Sequence, residues 1–330
     1  MQAHEKPDFT YAFTLDDQIE LIKEHQEHRG IPKADDKNLI VATWNLTNFG
    51  LQERESSHLE LMAEMIRPFD VVAIQEVADD ITQLHELLKY LKGSWKALYT
   101  DIAGNQERLG YLYQEDRLQP TELAAELAMR GYERNKITIT VGDEETDGAE
   151  EVVFPGFNRN PYMVEFKADD FIFSLVNVHL YWTYYKIRRL EARALAKWAK
   201  SRIDKVGPPN NDIILIGDFN MPRVEEGDKI YEEMIEYGVS FPKYDTNLVG
   251  TNLAGDADYD EVAFFPSRTG DDFSNMGVFD FDKKVFPDLW PPYSMASSER
   301  KPKEKMFFQY IRYYLADHRP LWAEFKRARI

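Results

Sequence analysis

There is no cysteine among the 330 residues. Disulfides and thiolate-held metals are therefore excluded. A metal partner would be a hard cation on oxygen ligands, such as Mg2+, Mn2+ or Ca2+. No apolar run is long enough to span a membrane. The stretch 1–14 lacks the hydrophobic segment that a signal peptide needs. A cytoplasmic location is the default expectation, with secretion left open where a signal has been removed. Positive charge is scarce too: 40 Lys and Arg stand against 58 Asp and Glu, a net charge of −18. That balance argues against plain electrostatic capture of nucleic acid. Polyanionic substrates stay open, because a bound divalent cation reverses the sign locally. There are no internal repeats and no linker-like stretches.

What is present begins with a hydrophobic content of 43%, ample for a full core. Residues 1–35 are expected to form an N-terminal helical extension. Its polar helix spans Leu15–His28 and is stopped by Gly30-Ile31-Pro32. Residues 36–330 are expected to form the main domain. Short apolar runs predict strands at Leu39–Trp44, Val71–Ile74, Trp95–Tyr99 and Leu109–Tyr113. Between them, Ser57–Arg67 reads as a serine-capped helix and Asp80–Leu91 as one opened by an Asp80–Gln83 capping-box pair. Strand alternating with helix marks a layered α/β domain. Residues 121–151 fit no single pattern, and Gly142–Glu151 reads as an exposed acidic loop.

Tyr162–Phe166 and Phe171–Asn177 flank a polar turn and predict a β-hairpin. Lys186–Ile203 is the strongest helix, with a stripe of Leu190, Ala194, Leu195 and Trp198 and a basic face expected to be solvated. After Pro208-Pro209-Asn210-Asn211 comes the strand Ile213–Ile216. Residues 224–311 are expected to hold one helix, Asp228–Tyr237, the strand Tyr259–Phe265, and long irregular stretches. Leu321–Phe325 is a terminal strand.

Ten polar residues lie at or beside the ends of these strands: Asn45, Glu76, Glu107, Asn177, His179, Asp218, Asn220, Asp260, Asp317 and His318. Each alone is an ordinary turn former or a satisfied polar group. Together, in five or six separate places, they supply what metal-assisted phosphodiester cleavage needs. Carboxylates hold a hard cation, amides hold phosphate oxygens, and histidines move protons near neutral pH. The stretch Tyr181-Trp182-Thr183-Tyr184-Tyr185 reads either as packing under the next helix or as a stacking surface for bases or lipid.

The segments Trp44-Asn45, Gln75-Glu76, Asn177-Val178-His179-Leu180, Gly217-Asp218-Phe219-Asn220 and Asp317-His318-Arg319-Pro320 resemble the successive signatures of the endonuclease/exonuclease/phosphatase superfamily. They stand in that family's order over roughly residues 38–326. The resemblance implies a four-layered α/β sandwich: two mostly antiparallel β-sheets packed face to face, with helices outside. Within the family the chain is most similar to the pancreatic-type deoxyribonuclease branch, through Glu107-Arg108, Arg159 with Pro161, and Tyr259-Asp260. One departure is Ala316-Asp317-His318, where the family carries Ser-Asp-His; it removes a hydroxyl, not a ligand.

That resemblance implies the following roles. Glu76 binds Mg2+ or Mn2+, with Asn45 and Asp317 completing the metal site. His318, oriented by Asp260, is the general base, and Asp218 stands as its rival. His179, oriented by Glu107, is the general acid. Asn177, Asn220 and Arg159 bind the phosphate. A structural Ca2+ in the acidic loops is a further expectation, and a monomer is the default. The leading function is a metal-dependent endonuclease hydrolysing DNA. The alternatives are the same chemistry on an inositol phosphate or sphingomyelin, and a non-catalytic binding protein on the same fold.

Overall fold

The central apolar strands are buried on both faces, and that sets the layering. In the computed structural model, which describes residues 1–142, 149–205, 212–243, 249–291 and 294–327, every residue of Ile213–Asp218 is buried. A strand covered on both sides needs one partner layer inside and another outside. Two sheets supply the first, and helices supply the second.

In chain order the elements are α1 (Leu15–His28), β1 (Asn38–Phe49), α2 (Ser56–Ile66), β2 (Val71–Val77), α3 (Thr82–Leu91), β3 (Trp95–Tyr99), β4 (Arg108–Gln114) and β5 (Gln119–Glu126). A one-turn α4 (Gly131–Arg134) and a small ribbon of β6 (Thr138–Val141) and β7 (Glu150–Val153) follow. Then come β8 (Tyr162–Ala168), β9 (Phe171–His179), α5 (Tyr185–Ile203), β10 (Ile213–Asp218) and α6 (Lys229–Ile235). The chain closes with β11 (Asp260–Phe264), the single turn α7 (Pro266–Thr269), β12 (Phe273–Val278), α8 (Ser297–Tyr314) and β13 (Leu321–Lys326).

The first sheet has the order β12-β13-β1-β2-β4-β3, and the second β11-β10-β9-β8-β5. Both are antiparallel except at one pair each, β1–β2 and β9–β10. The sandwich that the sequence predicts is therefore present. Between the sheets lie Val41, Ala73 and Phe325 from one side and Phe173, Leu175 and Ile216 from the other. Outside the first sheet, α2, α3 and α8 cover Ala42, Trp44 and Ile74. Outside the second, α5 and α6 cover Val176, Val178 and Leu215. Each fully buried aliphatic side chain contributes about 1.5–3 kcal/mol. Among the described residues, no helix is long and apolar enough to cross a membrane.

Several local expectations are corrected. Ser56 does not cap α2; the capping position is Glu55, without a side-chain bond, and the Ser56 hydroxyl donates to Glu86. Asp80 and Gln83 form no capping box: Asp80 accepts from the Thr82 amide, whereas Gln83 donates to the Gln52 carbonyl. The basic face of α5 is not simply solvated. Arg189 and Arg193 converge on the buried Glu233 of α6, clamping the two helices. The irregular region 224–311 contains α8 and β12, both unexpected. The tip of the acidic loop 142–151 and the Pro208–Asn211 turn lie outside the described residues.

The N-terminal helix α1 packs on α2, burying Ile22, Gln18 and His25. His25 Nε2 meets Asp280 Oδ1 at 2.8 Å. Tyr111, on β4 of the first sheet, ties the two sheets together. Its buried hydroxyl lies 2.8 Å from the carbonyl oxygens of Tyr162 and Leu175 and accepts from the Asn177 amide at 2.8 Å. Tyr111→Phe leaves that amide buried and unpaired. It is expected to cost about 1–3 kcal/mol, read as a lower midpoint in urea unfolding with an unchanged slope.

Candidate active site

The two parallel strand pairs decide where the polar residues meet. β1 and β2 run in the same direction, as do β9 and β10, so the C-terminal ends of all four lie at one edge of the sandwich. Asn45 pairs with Gln75 in the first sheet. Asp218 sits between His179 and Asp260 in the second. Gly217 permits this approach: its φ is +138°, and a Cβ there would lie 2.1 Å from the Val178 carbonyl oxygen. Beyond Asn45 the strand bulges, and Thr47, Asn48, Glu76 and Asn220 all adopt left-handed backbone, with φ of 52°, 50°, 58° and 50°. Such conformations cost side-chain-bearing residues of the order of 1 kcal/mol or more each.

At the rim, two imidazole–carboxylate pairs converge on Asp218. His179 Nδ1 meets Glu107 Oε1 at 2.5 Å, and His318 Nδ1 meets Asp260 Oδ2 at 2.6 Å. The opposite ring nitrogens face the same oxygen: Asp218 Oδ2 is 3.4 Å from His179 Nε2 and 3.9 Å from His318 Nε2. Asn45 Nδ2 donates to Asp218 and to Glu76, each at 3.1 Å, joining one sheet to the other. Glu76 also accepts the Asn48 amide at 2.8 Å, and Asp317 accepts from the Thr47 hydroxyl at 2.6 Å.

Electrostatics follow from these contacts. Burial and the Arg159 charge oppose protonation of His179, but Glu107 and Asp218 outweigh them and raise its pKa above the ordinary imidazole value. Burial likewise opposes protonation of His318; Asp260 first, then Asp218 and Asp317, raise it well above that value. Burial pushes Glu107 up, yet the charges of His179 and Arg159 hold it below its usual range. In the Asp260–His318 pair burial favours a neutral acid. The short contact and the surrounding carboxylates place the shared proton on the histidine.

Of the residues singled out in the sequence, Glu76, His179, Asp218, Asn220, Asp317 and His318 line one cleft of about 630 Å³. Glu107 and Asp260 stand directly behind the two histidines, each 1% exposed. Asn45, Asn177 and Arg159 are buried beneath the cleft. Asn177 donates to the carbonyls of Ile74 and Gly110 and accepts from Gln75. Arg159 Nε meets Glu107 Oε1 at 2.5 Å. A phosphate contact by the Asn177 amide nitrogen would break its bonds to the two carbonyls. Asn220 turns its own amide to Asp218 and donates its side chain to the Leu180 carbonyl.

No group of three or more acidic or histidine side chains is gathered as a metal cage among the described residues. The donors nevertheless suit a hard cation. Glu76 and Asp317 are two carboxylates on one cleft, and Mg2+ is commonly held by one or two carboxylates plus water and substrate phosphate.

No protein-family model matches the chain, and no curated protein matches it. Solved structures do. A mannosyl-6-phosphatase from Bacteroides thetaiotaomicron superposes with a TM-score of 0.55 at 19% identity, over 87% of this chain and 99% of that one. An endonuclease/exonuclease/phosphatase family protein from the same organism gives 0.54 at 18% identity, over 88% and 97%. TDP2 of D. rerio, complexed with single-strand DNA product, gives 0.52 at 12% identity, over 87% and 98%. The fold is that of the endonuclease/exonuclease/phosphatase family. Identities this low establish the fold alone. On that endonuclease/exonuclease/phosphatase fold the convergent pairs described above occupy the strand ends of both sheets.

Sequence reasoning missed several residues of the cleft. Thr47 and Asn48 follow a recognised Trp44-Asn45 pair, and their left-handed backbone leaves no clear sequence signal. Trp182 lines the cleft and is 62% exposed, so it does not pack beneath α5. His4 reaches the cleft from the N-terminal segment, which carries no motif.

Glu191 of α5 was missed as well. Its buried carboxylate accepts the amides of Asn158 and Tyr181, each at 2.7 Å, pinning the segments next to Arg159 and His179. Burial raises its pKa from 4.5 to about 7. The folded state thus prefers the protonated acid: the stability it contributes is complete below the ordinary carboxyl range and lost as pH rises to about 7. The expected loss is about 2–3 kcal/mol. Glu191→Gln should flatten this fall, seen as a smaller drop in Tm between acid and neutral pH than in the unaltered protein.

Proposed function

We propose that the protein is a divalent-metal-dependent phosphoester hydrolase acting by in-line attack of water. The observation that carries this reading is the convergence of His179–Glu107 and His318–Asp260 on Asp218. An enzyme of this kind needs one group that accepts the water's proton and another that protonates the leaving oxygen. His318 has its Nδ1 bound and its Nε2 open to the cleft, which suits the base. His179, kept protonated by Glu107, suits the acid. Asp218, between them, positions the water and is the rival base. Glu76 and Asp317, with Asn45 bracing Glu76, would hold the cation, whose role is to neutralise phosphoryl charge. Thr47 and Asn48 keep both carboxylates in place.

DNA is the substrate that the sequence signatures favour, and the deoxyribonuclease-like pairs Glu107–His179 and Asp260–His318 support that reading. A compact phosphoester is the second reading. It is supported by a net charge of −18 and by a cleft lined in part by Met1, Gln2 and His4 of the N-terminal segment.

Supercoiled plasmid and bis(p-nitrophenyl) phosphate, each with Mg2+, Mn2+ or EDTA, test the proposal. Turnover is expected only with metal, and His179→Ala or His318→Ala should lower kcat by about 10²–10⁴. Unchanged turnover in both variants sinks the mechanism. Because His318 is held protonated above the ordinary imidazole range, kcat/KM should keep rising on the alkaline side of neutrality. That limb should vanish in His318→Gln.

A further inference from the structure

Residues 1–13 are not a loose tail. Pro7 is buried, and three aromatic rings anchor the segment to the helical layer over the first sheet. Phe9 stacks on Tyr310 at 5.9 Å between centroids. Tyr11 meets Phe286 and Tyr310 edge-on at 5.6 and 5.7 Å, and Phe13 contacts Phe286 at 5.0 Å. Ring pairs of this kind contribute beyond their buried area. From that anchor the chain runs into the cleft. The His4 amide donates to Gln52 Oε1 at 2.9 Å, and His4 Nε2 lies 3.4 Å from Asp317 Oδ2.

Two residues are enough to take it further across. The backbone nitrogen of Met1 donates to Asn105 Oδ1 at 3.0 Å, and Asn105 Nδ2 in turn donates to Glu107 at 3.0 Å. The segment therefore touches Asp317, next to His318, at one point, and Asn105, which holds the partner of His179, at another. Met1, Gln2 and His4 line the same cleft as the two histidines and Asp218.

We infer that residues 1–5 form a strap between the flanks of the two histidine pairs, with His4 as its specificity-determining contact. The strap restricts the site to a phosphoryl group at a chain end or on a compact molecule. A polymer cleaved internally has chain on both sides of the scissile phosphate and has to pass through the space that the strap fills. A terminal phosphate enters from one side only. The exposed Trp182 ring on the cleft lining offers a flat face for the base or sugar that such a phosphate carries. The excess of acidic groups acts in the same direction, since a long duplex meets more repulsion than a small anion does. This inference rests on the hydrolase reading above.

The test loosens the strap far from the reacting groups. The double variant Phe9→Ala with Tyr11→Ala removes two ring anchors, and the single variant Phe9→Ala removes one, so it covers a failure of the first to fold. Turnover of p-nitrophenyl phosphate and nicking of supercoiled plasmid are compared with Mg2+. In parallel, the affinity for a fluorescein-labelled DNA duplex is read by anisotropy. The strap predicts that plasmid nicking and duplex affinity rise about tenfold in the variants, whereas p-nitrophenyl phosphate turnover stays within about twofold. Unchanged duplex affinity in both variants overturns the strap. An equal rise on both substrates also overturns it, because a general gate would do that. If the unaltered protein turns over neither substrate with any metal, yet duplex affinity still rises on loosening, the hydrolase reading falls and the strap stands.

Discussion

A few buried polar contacts between the sheets hold the two halves of this molecule in register, and the Asn45 amide is the one that reaches the cleft carboxylates. Asn45 comes from the first sheet, is fully buried, and donates to Glu76 of the same sheet and to Asp218 of the second. A buried amide that already serves two carboxylates cannot be moved without leaving them unpaired in a low-dielectric interior, where that is costly. The sandwich packing between the sheets, by contrast, is apolar and non-directional. The polar edge therefore depends on Asn45 and on the Tyr111 hydroxyl for its alignment, and the apolar core supplies the bulk of the stability.

The parallel pairs explain why the edge is polar at all. An antiparallel sheet alternates strand ends, so neighbouring C-termini point to opposite edges. Placing one parallel pair at the middle of each sheet brings the ends of β1, β2, β9 and β10 to a single rim. Glu107 at the start of β4 and Asp260 at the start of β11 run the other way, so they reach the same rim from behind the histidines. The carboxylate–imidazole pairs are thus a consequence of topology. Their electrostatics then favour protonated histidines, because each ring is enclosed by more than one acidic group.

Much of this was legible in the sequence, for physical reasons. Runs such as Ile213–Ile216 are too short and too apolar to be anything except buried strands, and the polar residues after them mark where the strands emerge. The hairpin and α5 followed from strong periodicity. The failures have equally specific causes. Pro302 near the start of α8 and a highly charged first half mask the apolar spacing of Phe307, Tyr310, Ile311 and Tyr314, which faces the core. Ser56 is a good capping residue by type, but a nearby Glu86 took its hydroxyl. The basic face of α5 looked solvated because its partner, Glu233, lies on a different helix. His4 gave no signal because its importance arises only from where Phe9, Tyr11 and Phe13 dock.

The left-handed residues carry a consequence for how this protein can change. Thr47, Asn48, Glu76, Asn105 and Asn220 all line the cleft with a backbone that glycine would adopt more easily. Thr47 is the most costly of them, since branching at Cβ crowds that conformation. Selection for heat resistance alone would drift these positions toward glycine and relieve the strain. Each such step would delete a carboxylate, an amide or a hydroxyl from the rim. Robustness and chemistry are therefore opposed at the same five positions, and their side chains persist only while something other than folding rewards them.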